Sequence, residues 1–104
     1  MKRIAFKMKL HPGQTDEYKR RHDALWPELT SLLKETGIRD YSIFLDEENC
    51  DLLGVMTVEN DEMLGPLSQH PIMKKWWNFM KDIMYTNADN SPVSSPLKEV
   101  FYLK

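Results

Sequence analysis

Five residues have the types needed to hold a sugar ring and move a proton on it: Tyr18, His22, Tyr41, Trp76 and Trp77. Tyr18 and His22 stand four apart in a stretch of helical pattern, so they share a face, one turn apart. The Trp76-Trp77 pair offers flat apolar surface for the C–H face of a ring. His22 alone among the five can both accept and donate a proton near neutrality. A neutral polyol changed only by proton transfer needs a site of this kind, although no single member is specific for it.

Each of these residues also has a plainer reading. His22 follows Lys19-Arg20-Arg21, a cationic neighbourhood that discourages protonation. It would serve equally as a solvated surface histidine, were Tyr18 not one turn before it and Trp26 one turn after. Adjacent helical residues point ~100° apart, so one tryptophan of the pair belongs to a core and the other lines a cavity. Tyr41 lies mid-strand, where a buried phenol needs a partner and an ordinary aromatic simply packs. His11 and His70 each precede a proline and read as loop or cap residues. The seven methionines read as core filler. No His-x-x-x-His pair or tight His/Asp/Glu cluster is present, so no metal is expected. Cys50 is the single cysteine, which excludes an internal disulfide and a cysteine-based metal framework. Phosphate-binding glycine loops, nucleophile elbows and Cys-His pairs are absent from the sequence.

Composition narrows the class. The 104 residues fit one domain, 1–104, with 41% hydrophobic and 29% charged residues. A net charge of −2 gives no electrostatic reason to bind nucleic acid. No apolar run approaches the ~20 residues of a membrane span. Charges among the first residues, Met1-Lys2-Arg3-Ile4-Ala5-Phe6-Lys7, are unlike a signal peptide, and a cytoplasmic location is expected.

The elements that must position the five residues follow from periodicity. Ile4, Phe6, Met8 and Leu10 alternate with Ala5, Lys7 and Lys9, predicting a strand over 3–10 that ends at Pro12-Gly13. Residues 14–36 have helical spacing, interrupted by Pro27, which should begin a second helical piece. Gly37 is a suitable stop. Strands are expected at 38–46, with Tyr41, Ile43 and Leu45 on one face, and at 51–58, joined as an antiparallel hairpin by the Asp46-Glu47-Glu48-Asn49 turn. Gly65-Pro66 predicts an irregular 60–70 stretch, Pro71 opens a helix through Met84, 86–96 reads as a long loop, and Val100 to Leu103 mark a last strand over 98–103. The order β-α-β-β-α-β is the ferredoxin-like α+β arrangement, with two helices on one sheet face. The other face carries too much apolar surface to leave wet, which calls for a second copy or a ligand.

The chain resembles the L-rhamnose mutarotase family along essentially its whole length. The matching segments are Tyr18-x-x-x-His22, Trp26-Pro27-Glu28-Leu29, Asp40-Tyr41-Ser42-Ile43-Phe44-Leu45-Asp46, Trp76-Trp77, Asn87-Ala88-Asp89-Asn90-Ser91-Pro92-Val93-Ser94-Ser95 and Glu99-Val100-Phe101-Tyr102-Leu103. Six such segments in order are far more specific than any one. The resemblance implies a cofactor-independent homodimer, a dimeric α/β-barrel, acting on the free sugar L-rhamnose. It implies His22 as proton donor and Tyr18, Tyr41, Trp76 and Trp77 as sugar contacts. Ala88 departs from the proline usual in this family and is expected to loosen that loop. Small monooxygenases and ligand-sensing modules share the fold class. Oxygen consumption would distinguish the first, and sugar binding without faster anomer exchange the second.

Overall fold

The computed structural model describes residues 1–104. Four strands, β1 Lys2–Lys9, β2 Ile38–Asp46, β3 Asp51–Val58 and β4 Ser94–Leu97, form an antiparallel sheet in the order β2-β3-β1-β4. The helices are α1 Thr15–Asp23, α2 Pro27–Glu35, α3 Leu64–Gln69 and α4 Pro71–Met80. This is the expected ferredoxin-like topology.

Alternation makes the sheet two-faced. Ile4 pairs with Met56, Phe6 with Gly54 and Met8 with Leu52, so these residues point together toward the helices. Leu10, Leu29, Leu52 and Val58 are fully buried there. Gly54 is required by this packing, because a Cβ at that position would stand 2.5 Å from Cζ of the Phe6 ring. The freed space lets Phe6 lie across β3 and meet Tyr41 edge-on, with ring centroids 6.1 Å apart.

Tyr41 owes its direction to a bulge. Ile38 pairs with Val58 on the helix side, and strict alternation would then send residue 41 to the opposite face. The register shifts between Arg39 and Ser42, and Asp40 takes a left-handed φ of 51°. One extra residue reverses the phase, so Tyr41 and Ile43 also face the helices. Aspartate is among the few non-glycine residues that tolerate this conformation.

The break at Pro27 is as expected. Trp26 is extended (φ −61°, ψ 132°) and Pro27 is the first residue of α2. Gly37, at φ 94°, ends α2 while its N–H donates to the Lys34 carbonyl.

Four expectations need correction. Gly65-Pro66 does not leave the 60–70 stretch irregular: Asp61–Met63 form a 3₁₀ turn capped by Asn60, and α3 runs through both residues. Pro66 is the third residue of α3, where the N–H has no intrahelical partner to lose. Helix α4 stops at Met80 rather than Met84, and Met84 instead bridges to Leu10. The fourth strand is 94–97, not 98–103. Pro96 fits because β4 is an edge strand. Val100, Phe101 and Leu103 are 88%, 77% and 81% exposed, while Tyr102 receives the Arg3 guanidinium over its ring at 3.9 Å. Nor is the 86–96 segment one open loop. Thr86 bridges Pro92, and the Asn87 amide and side chain bond to Ser91, so the turn is held despite Ala88.

Candidate active site

Helix α1 carries Tyr18 and His22, α4 carries Trp76 and Trp77, and β2 carries Tyr41. All five line one cleft between the sheet and the helices, together with Met8, Ile43, Met73, Met80, Met84 and Pro92. The methionines were legible only as core filler. Met73 stands one turn before Trp77 and Met80 one turn after Trp76, so helical spacing held a signal for their place in the wall.

The aromatic rings are locked against one another. Tyr18 and His22 stack at 4.3 Å with a 30° tilt. His22 meets Trp76 at 5.3 Å and 90°, and Trp26 meets Trp76 at 5.1 Å and 88°. Edge-to-face contacts of this kind satisfy the ring quadrupoles. Trp76 is core, at 6% exposure, and Trp77 is half-buried. This matches the divergence of adjacent helical residues.

His22 is fixed by a second contact, in which its Nδ1 lies 3.0 Å from the Tyr18 carbonyl oxygen. A carbonyl only accepts, so Nδ1 carries the proton and neutral His22 presents the lone pair of Nε2. Burial lowers the pKa of His22 below its ordinary value, against smaller upward pulls from the Tyr18 carbonyl and Asp23. The direction agrees with the sequence expectation but the cause differs. The neighbouring cations are spent elsewhere: Lys19 pairs with Asp23, Arg20 with Glu17, and Arg21 with Glu17 and Asp82. Desolvation in the cleft pushes the phenol of Tyr41, a residue still 39% exposed, up to about 12 and that of buried Tyr18 higher still, with Tyr41 adding to the latter. Both tyrosines are therefore neutral hydroxyls at physiological pH.

The cleft is tight, about 80 Å³, against the ~300–1,000 Å³ of a typical enclosed ligand pocket. A larger open groove of about 520 Å³ runs along α2 and the edge of β2 past Lys34, Arg39 and Asp40. It shares Tyr41 with the cleft but holds no histidine, so of the two only the smaller cavity has an imidazole in its wall. His70 is a cap, its Nδ1 accepting from the Ile72 N–H at 3.1 Å, and His11 packs on Tyr85 at 4.3 Å. Nowhere do three His, Cys, Asp or Glu side chains converge in a metal-binding arrangement.

A ferredoxin-like α+β sheet with an aromatic cleft, neutral hydroxyls and one half-buried imidazole holds the groups that proton transfer on a small uncharged ligand requires. The family model described as L-rhamnose mutarotase matches residues 3–103, and the chain belongs to that family of carbohydrate isomerases, which interconvert sugar anomers. It is 59% identical to an L-rhamnose mutarotase of Rhizobium meliloti over 104 residues, all of both chains. It is 58% identical to one of Brucella anthropi over 101 residues, 97% of this chain and 95% of that one. The crystal structure of an L-rhamnose mutarotase from Formosa agariphila superposes with a TM-score of 0.93 at 55% identity, covering all of both chains.

Proposed function

We propose that this chain interconverts the α and β anomers of L-rhamnopyranose by acid–base catalysis centred on His22, with Tyr18, Tyr41, Trp76 and Trp77 as the sugar-binding wall. The observation that carries the reading is the pinned tautomer of His22, which leaves the Nε2 lone pair free on a half-buried ring that lines the aromatic cleft.

Mutarotation moves one proton from the anomeric hydroxyl to the ring oxygen, then reverses on the other face. Neutral Nε2 takes the anomeric proton. The O–H electrons form the C1=O bond as the C1–O5 bond breaks, and O5 keeps that electron pair. O5 collects a proton from the imidazolium, directly or relayed through a phenol hydroxyl. Rotation about C1–C2 and the reverse transfers close the other anomer. Protons and electrons balance without an external reactant. His22 was expected from sequence as the donor to the ring oxygen. The neutral tautomer supports a role first as acceptor and then as donor. In this reading Tyr41 would hydrogen-bond ring hydroxyls, while Trp76, Trp77 and the methionines of the cleft wall would meet the apolar side, including the C6 methyl.

The order has a pH consequence. The reactive form is neutral, and burial lowers the pKa, so the exchange rate should be flat above about 6.5 and fall as acid protonates His22 below that ordinary value. The same shift contributes stability that is fully present above about 6.5 and is lost as pH falls toward the folded-state pKa, because the unfolded chain binds the proton first. Saturation-transfer NMR between the two anomeric protons of L-rhamnose, run with increasing protein from pH 5 to 8, tests both the activity and its profile. A rate that rises on acidification would mean that the imidazolium starts the reaction, and no transfer at any pH would remove the mutarotase reading.

The reading includes a homodimer. The sheet face away from the helices presents Ala5, Leu53, Val55, Phe44 and Leu97, which share a side by register. Phe44 is 62% exposed and Leu97 40%. Val100, Phe101 and Leu103 add further exposed apolar side chains, and exposed apolar patches mark interaction surfaces. A second copy would cover it, in keeping with a cleft too small to enclose a pyranose. Sedimentation equilibrium should give about twice the 12.3 kDa chain mass, and Phe44→Asp should shift it toward the monomer. A wild-type monomer at micromolar concentration would contradict this. A cytoplasmic location completes the proposal, and no helix is long and apolar enough to cross a membrane.

A further inference from the structure

Helix α1 bears the proposed acid–base residue but has little to hold it in place. It spans nine residues, its N-terminus has no side-chain cap, and its single buried residue is Tyr18. Isolated helices shorter than ~12–15 residues are marginal in water, so its position must come from tertiary ties.

The main polar tie is Arg21, whose side chain is only 10% exposed. Its Nε donates to Glu17 Oε2 at 2.7 Å, within α1. Its Nη1 donates to the Phe79 carbonyl at 2.7 Å and to Asp82 Oδ1 at 2.9 Å, and Nη2 to Asp82 Oδ2 at 3.2 Å. The guanidinium also lies over the Phe79 ring, 4.5 Å from its centroid. Thus one planar fork grips a carboxylate, a ring and a carbonyl at the C-terminal end of α4, where helix carbonyls lack intrahelical donors and favour a cation.

The contacts form a closed circuit. Phe79 packs on Trp76 at 5.6 Å, and Trp76 packs on His22 at 5.3 Å. His22 is the residue after Arg21. We infer that Arg21 is a positioning residue for the proton transfer: by clamping α1 to the end of α4 it sets the His22 imidazole against the Trp76 wall. This rests on His22 being the acid–base group. A misplacement of about 1 Å can cost as much as ~10²-fold in rate, so the clamp should be visible in turnover as well as in stability.

The test uses Arg21→Lys, Arg21→Ala and Asp82→Asn in the full chain, each assayed well below its melting temperature. Two quantities are read: anomer exchange as kcat and KM, and the NMR titration of the His22 imidazole without sugar. Arg21→Lys keeps the charge and loses the fork. It should lower kcat about 10-fold with KM nearly unchanged, and Arg21→Ala should lower kcat up to about 100-fold. In both, the His22 titration should move up toward about 6.5 as its burial loosens. In Arg21→Lys that movement cannot come from a lost cation. Asp82→Asn, at an exposed carboxylate outside the cleft, should shift both quantities the same way by less. If Arg21→Ala does not fold, the other two variants decide. A folded Arg21→Lys with wild-type kcat and an unmoved titration would reduce Arg21 to a stability contact and overturn the inference. Because the titration is read without sugar, it judges the clamp even if His22→Ala proved active, a result that would instead remove the catalytic reading.

Discussion

His22→Ala should leave a folded protein whose anomer exchange is slower by about 10²–10⁴-fold, the usual contribution of one acid–base group. The expectation rests on geometry. The pinned Nδ1 leaves Nε2 free, and no other imidazole lines the cleft, since His11 and His70 are engaged elsewhere. The phenols of Tyr18 and Tyr41 titrate too high to replace it as bases near neutrality. The structural cost should be small, because the ring is half-buried at the cleft wall and alanine favours the helix. Circular dichroism and thermal melting check the fold, and anomeric magnetisation transfer reads the rate. A folded variant within about threefold of wild type would fall far outside the general acid–base range and exclude His22 from the proton path.

Trp76→Ala should be the most costly change to the cleft. Removing a buried tryptophan destabilises by about 3–5 kcal/mol, through lost transfer energy and the cavity left behind. Trp76 is 6% exposed and touches Trp26, His22 and Phe79, so the void would open at the junction of α1, α2 and α4. In a chain near 100 residues, about 3 kcal/mol corresponds to a melting temperature lowered by roughly 12 °C or more. Exchange measured below that temperature should also fall, because His22 loses the ring it stands against. Trp77→Ala, half-buried on the neighbouring face, should cost less stability and act mainly on sugar binding. Calorimetry on the two variants decides: equal melting temperatures would show that the perpendicular stack around Trp76 does not anchor the helices.

Much of this molecule is readable from local pattern. The alternation of β1 and β3, the break at Trp26-Pro27, the start of α4 at Pro71 and the shared face of Tyr18 and His22 all follow from short-range geometry, which each residue carries with it. The family, too, is written in the ordered segments from Tyr18 to Leu103. Other features depend on partners distant in the chain. The bulge that turns Tyr41 inward has no period, only an aspartate able to adopt left-handed φ. The apolar run Val100-Phe101-Tyr102-Leu103 states a need for burial without naming the surface, while the unpromising Ser94–Leu97 is a strand because β1 offers it an open edge. The lowered pKa of His22 arises from burial rather than from Arg20 and Arg21, whose charges are spent on carboxylates. Periodicity and backbone stereochemistry are local, so the sequence alone determined β1 to β3, the first two helices, the start of α4 and the residues able to do the chemistry. Desolvation, edge pairing and ring stacking are sums over neighbours brought together by folding, so only the tertiary structure decided which of those residues meet and in what protonation state.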